Sequence, residues 1–135
     1  MKSVIRLFVH AMVSSAVVLA GCASVPDDVT CINRRVGAGA GTGVTFDAIG
    51  DDLLYPRESC IAGREGTVVA KYTLLRNGEV EGVRIYKSSG DPLLDREVVR
   101  ALESLKSRGK KVAWPSSVPD QPRALGEVSV RFSLK

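Results

Sequence analysis

Histidine is all but missing from this chain of 135 residues: His10 is the single one, and it lies inside the one long apolar run. Downstream of that run there is no imidazole at all, which removes His-dependent nucleophile triads, imidazole metal sites and the commonest general base. Cysteines number three, and two of them without a histidine do not make a zinc site. The glycine-rich stretch Val36 to Val44 contains neither G-x-G-x-x-G nor a P-loop, so it reads as a flexible leader rather than a phosphate cradle. Charge excludes little on its own: the formal value of +4 includes Lys2 and Arg6, and without them it falls to +2, no signature of nucleic-acid binding. No nucleophile and base pair can be named, so an enzyme is not expected, nor a small-molecule substrate.

What is present begins with that apolar run. Lys2 and Arg6 form a positive start, Leu7 to Ala20 form the apolar stretch, and small residues Ala20 and Gly21 precede Cys22. Leu19-Ala20-Gly21-Cys22 resembles the bacterial lipobox, which implies a signal peptide over residues 1–21, cleavage before Cys22 and lipidation of its thiol. An uncleaved membrane anchor is the alternative, but the run is interrupted by His10, Ser14 and Ser15 and falls short of the roughly 20 residues a spanning helix needs. Buried acyl chains contribute about 0.8 kcal/mol per CH₂, so several chains on Cys22 hold a protein firmly at a membrane. Ala23 and Ser24 lack the aspartate that resemblance to retained inner-membrane lipoproteins would require, which points to the inner leaflet of the outer membrane. The covalent lipid is the only non-protein group expected, and no cofactor is.

With Cys22 lipidated, Cys31 and Cys60 remain as an even pair in an oxidising compartment. A disulfide between them would close a loop of about 30 residues and stabilise the fold by roughly 3 to 4 kcal/mol in the chain-entropy model. Two unrelated buried thiols are the alternative.

Beyond a leader over residues 22–52, the pattern becomes periodic. Tyr55-Pro56 opens a helix of at most two turns that closes at Gly63. From Gly66 to Arg76, Val68, Ala70, Tyr72 and Leu74 share one face of a strand. Asn77-Gly78 signals a two-residue type I′ hairpin turn, and the returning strand runs from Glu79 to Lys87 with Val83 and Ile85 inward. Val80 is out of phase with them, a mismatch that either a bulge at Gly82 or a change of phase near the turn would absorb. Asp91-Pro92 then caps an amphipathic helix on which Leu94, Val98, Ala101, Leu102 and Leu105 recur, with Glu97, Arg100, Glu103 and Lys106 on the solvated side. Ser107-Arg108-Gly109-Lys110 matches the Ser-x-x-Lys pattern of penicillin-recognising enzymes, but those need a larger fold and further motifs, so it reads as the helix end. Finally Val128, Val130, Phe132 and Leu134 alternate with polar residues from Glu127 to Lys135. The expected class is α+β, in the order α-β-β-α-β, with helices on one face of a three-stranded antiparallel sheet.

Tyr55-Pro56, Arg64-Glu65-Gly66-Thr67-Val68, Asn77-Gly78, Ser88-Ser89-Gly90, Leu94-Asp95, Trp114-Pro115 and Val128-Ser129-Val130-Arg131-Phe132 follow one another in this order. Together they resemble the C-terminal domain of TonB-type energy transducers, over residues 53–135. The resemblance implies a periplasmic domain that captures the extended TonB box of an outer-membrane transporter along its last strand, passing on work from an inner-membrane proton channel. Carried over by position, the docking edge is Val128, Ser129, Val130, Arg131, Phe132, Ser133 and Leu134, with Tyr55 and Pro56 positioning the approach. Backbone ladder bonds would supply affinity, and outward Ser129, Arg131 and Ser133 would select the peptide.

A force transducer needs a retained inner-membrane helix and a long proline-rich arm, and this chain departs from both. Residues 22–52 reach at most about 110 Å when fully stretched. The expectation is a lipid-anchored TonB-like module that binds a strand of an envelope protein, accessory to transport. Two other readings stay open: a transducer with an uncleaved anchor, and a structural envelope lipoprotein that binds peptidoglycan or another envelope protein.

Overall fold

The computed structural model describes residues 30–32, 34–36, 41–42 and 46–135; the apolar run, Cys22 and part of the leader lie outside the described residues. Its elements are β1 (Gly41–Thr42), α1 (Phe46–Ile49), a 3-10 turn (Gly50–Asp52), α2 (Arg57–Ile61), β2 (Gly66–Leu75), β3 (Val80–Lys87), α3 (Pro92–Ser107) and β4 (Arg123–Phe132). All strand pairs are antiparallel, in the order β1-β4-β2-β3. The three long strands and the α-β-β-α-β succession are those expected. The additions fall in the leader: α1, the 3-10 turn, and β1, two residues laid on the outer side of β4.

Helix α3 follows from its ends and its stripe. The Asp91 carboxylate accepts the Leu93 N–H at 2.9 Å, Pro92 occupies the first turn, and Leu94, Val98, Ala101, Leu102 and Leu105 are all buried. At the other end Gly109 takes φ +65°, while its N–H and that of Lys110 bond back to Lys106 and Leu105, a Schellman closure. Helix α2 ends in the same way, with Gly63 at φ +65° and Arg64 N–H donating to the Ser59 carbonyl at 2.8 Å. Pro56 is its N-cap residue, one place earlier than the first turn that the sequence suggests.

The hairpin differs from the expected two-residue turn. Gly78 N–H donates to the Leu75 carbonyl at 2.8 Å, so Arg76 and Asn77 are the central residues of the turn and Gly78, at φ +85°, follows as a bulge. Asn-Gly serves both arrangements, since three-residue loops also need a left-handed residue after the turn. The connector after α3 leans on this glycine: Val112 N–H donates to the Gly78 carbonyl at 2.9 Å. In β3 the register against β2 slips between Lys71 and Thr73, with Gly82 at φ +59°. That bulge lets Val80 and the Val83–Ile85 pair face the same side, as their phases require.

The core lies between this sheet and the helices. Val68, Ala70, Tyr72 and Leu74 of β2 and Val128, Val130 and Phe132 of β4 are buried against the stripe of α3, each larger side chain stabilising the fold by about 1.5–3 kcal/mol. Cys31 and Cys60 are joined, with Cα atoms 5.7 Å apart and both residues buried. The disulfide clips the leader to α2. From there the leader runs beside residues 53–55, where Tyr55 N–H donates to the Arg34 carbonyl at 2.7 Å and Val36 N–H to that of Leu53 at 3.2 Å.

Strand β4 begins four residues before the predicted Glu127 and ends at Phe132, three before Lys135. Its early part is hidden in the sequence by Gly126, where a side chain would overlap the Tyr72 ring that fills the space instead. Its end is set by Glu65, whose carboxylate takes the Leu134 N–H at 2.6 Å and turns the chain out of the ladder.

Candidate functional site

A sheet with open ends offers two rows of unpaired backbone groups, and here the two rows are unlike. Along β3 the pairing with β2 is irregular in two places, and Glu81, Arg84 and Lys87 are exposed. Bulges and charges of this kind blunt an edge. Along β4 ten successive residues, from Arg123 opposite Leu75 to Phe132 opposite Gly66, pair with β2 without a slip. The outer side of β4 is therefore straight. It already carries a strand at two positions, Gly41 opposite Val130 and Thr42 opposite Ser129.

Of the residues that the sequence assigns to the docking edge, Val128 through Phe132 lie on β4. Val128, Val130 and Phe132 point into the core, while Ser129 is half-buried and Arg131 exposed on the opposite, solvent-side face. Ser133 and Leu134 fall past the end of the strand, and the Leu134 carbonyl accepts from Arg34 at 3.0 Å.

Tyr55 is not a contact surface. It is 3% exposed, its ring meets that of Phe132 edge-on at 5.4 Å, and its hydroxyl donates to the Arg64 carbonyl. Burial, and after it the nearby Glu65 charge, push its phenol up to about 12. Tyr55 thus braces the end of β4 from inside. Pro56 lines an open groove with Ile32, Leu54, Leu93 and Arg96, none of which belongs to β4.

A polar knot beneath that end joins Ser59, which the sequence did not mark, to residues it marked only as motifs or as a helix cap. Asp91 accepts from the buried Ser59 hydroxyl at 2.6 Å, and the Arg64 guanidinium stands 3.8 Å from it. Asp95 accepts both the N–H and the hydroxyl of Ser89, at 2.9 and 2.8 Å, and the hydroxyl of Ser88. Burial works to raise the Asp95 carboxyl, but the bonds from Ser88 and Ser89 prevail and hold it below the ordinary aspartate value. The Ser-Ser-Gly turn they fix sits on Gly66, where an added Cβ would come within 2.8 Å of the Ser89 Cβ. Gly66 pairs with Phe132. The Ser88–Gly90 turn, the Leu94-Asp95 pair and the glycine before Thr67 are therefore one device that seats the end of β4. Spacing alone shows none of this, because the partners come from four separate elements.

Strand β1 was missed outright by sequence reasoning. Among the described residues no group of three or more His, Cys, Asp and Glu is placed to hold a metal ion, and no helix is long and apolar enough to cross a membrane.

Fold and edge together define a small α+β domain whose sheet has one straight, regularly paired edge strand. Residues 51–119, just over half of the chain, match the family described as Gram-negative bacterial TonB protein C-terminal, and the chain belongs to that family. Two NMR solution structures of the Helicobacter pylori TonB C-terminal domain are similar. One, of residues 179-285, is 25% identical with a TM-score of 0.50, covering 66% of this chain and 76% of that one. The other, of residues 194-285, is 27% identical with a TM-score of 0.50, covering 66% and 88%. No curated protein matches the chain. Family membership makes this an interaction domain of the Gram-negative envelope.

Proposed function

We propose that this protein is a lipid-anchored periplasmic module that binds an extended segment of an envelope protein, an outer-membrane transporter above all, by adding that segment to β4. One observation carries the reading: the outer side of β4 is held in unbroken register by β2 and already accepts an antiparallel strand at Ser129 and Val130. Backbone N–H and C=O groups supply the affinity, and side chains on the solvent face tune the choice of partner. Ser129 and Arg131 are those side chains here, while Val128, Val130 and Phe132 keep the seat rigid from below. No residue has a catalytic task and no cofactor takes part.

The resemblance of Leu19-Ala20-Gly21-Cys22 to a lipobox supports lipid on Cys22 and a location at the inner leaflet of the outer membrane, with the disulfide at Cys31 holding the domain close to its tether. An anchor of this kind separates peptide recognition from delivery of force, so the role is accessory to transport. The test is photocrosslinking in cells from a probe placed at Arg131 on β4, compared with one at Arg84 on β3. Adducts with a transporter segment from Arg131, and none from Arg84, are expected; equal yields, or none from Arg131, would overturn strand addition at β4.

A further inference from the structure

The strand that already lies on β4 bears on what the edge accepts. Strand β1 is two residues long, so it makes only a minimal ladder, and one of the two is glycine, which loses the most backbone entropy on ordering. A side chain at Gly41 would overlap the Phe46 ring. That ring packs against the core, and the backbone of Gly50 lies behind it, where an added Cβ would stand 3.4 Å away. Phe46 begins α1, which is packed against α3 and β4. The ring therefore roofs the place opposite Val130 and leaves room there for backbone alone.

Resting on strand addition at β4, we infer that β1 is a resident strand which the partner replaces, and that Phe46 selects glycine opposite Val130 in whatever replaces it. The partner is an extended envelope-protein segment that pairs antiparallel with β4 and carries a glycine at that one position. A resident strand on a short tether acts at millimolar effective concentration, so it raises the threshold that a partner must pass. Weak segments are turned away and the edge is not left bare between encounters.

The probe is a fluorescent peptide copying residues 39–47 of this chain, titrated by anisotropy against the full chain. Consecutive backbone N–H groups in a strand point to opposite sides, so one of the two in β1 faces β4, and Gly41→Pro with Thr42→Pro removes it whichever it is. This variant should bind the peptide at least tenfold more tightly than the unaltered chain. A Thr42→Cys, Ser129→Cys variant, with the new disulfide located by mass mapping, should not bind it. Equal affinity in the unaltered and double-proline chains, or binding by the tethered one, overturns the resident strand. In the second arm the same peptide with valine in place of Gly41, the one of its three glycines that falls opposite Val130, should lose at least tenfold on the double-proline chain and recover when Phe46→Ala is added. No loss, or no recovery, overturns the selection by Phe46. Thermal melts of each variant show that the sheet is intact. Adducts from Arg131 that persist alongside equal peptide affinities would sink this inference and leave strand addition standing, whereas their absence would sink strand addition itself.

Discussion

Single residues fix the geometry of β4 from both ends. At Gly126 the Tyr72 ring occupies the space of a side chain. Gly126→Ala should cost about 1–3 kcal/mol in urea unfolding, the usual penalty for overpacking, and Tyr72→Leu in the same chain should recover part of it. Tyr55 and Tyr72 are both pushed up to about 12, chiefly by burial. A raised phenol pKa in the fold means that stability is whole below the unfolded value of 10.0 and is lost as pH rises through 10 toward 12. Alkaline unfolding should therefore coincide with tyrosinate absorbance, and Tyr55→Phe should flatten part of the decline. Asp95 behaves in the opposite sense. Its carboxyl is lower in the fold, so what it contributes is present above the ordinary value of 3.8 and fades as acid protonates it. Asp95→Asn should flatten stability below about pH 4, read from denaturant midpoints across pH.

At the scale of elements, α3 was the most legible part of the sequence. Its stripe repeats at helical spacing and both ends carry their own stop signals, so nothing distant had to be known. The phase mismatch in β3 was legible, but the sequence left open a bulge at Gly82 or a phase change near the turn, and the register slip beside Gly82 selects the bulge. The hairpin was placed correctly but turned at the wrong residue, because Asn-Gly satisfies two turn geometries that only a hydrogen bond distinguishes. Strand β1 was not legible: a Gly-Thr pair in a glycine-rich stretch has no alternation, and it becomes a strand only through the edge it meets. The early part of β4 was lost for the converse reason, a glycine standing where the pattern needed an apolar side chain. Cys31 and Cys60 were paired by counting. Replacing both with serine should lower stability by about 3 to 4 kcal/mol, read from melting of the oxidised protein and the variant, and should free the leader beside residues 53–55.

For the molecule as a whole, the parts combine into a domain with one blunted edge and one straight edge under light guard. A polar knot of Ser59, Ser88, Ser89, Asp91 and Asp95 holds the sheet at the end where β4 leaves the ladder. That arrangement suits a binder, since the rigid component is backbone. On the lipidated reading, Cys22→Ser should release the protein from the outer-membrane fraction while leaving in-vitro peptide binding unchanged. The most direct measurement of the central claim is amide hydrogen exchange on the full chain, alone and with the segment captured from Arg131. Binding should slow exchange along β4, residues 123–132, and leave β3 unaltered. Protection that appears along β3, or only around the groove beside Pro56, would contradict it.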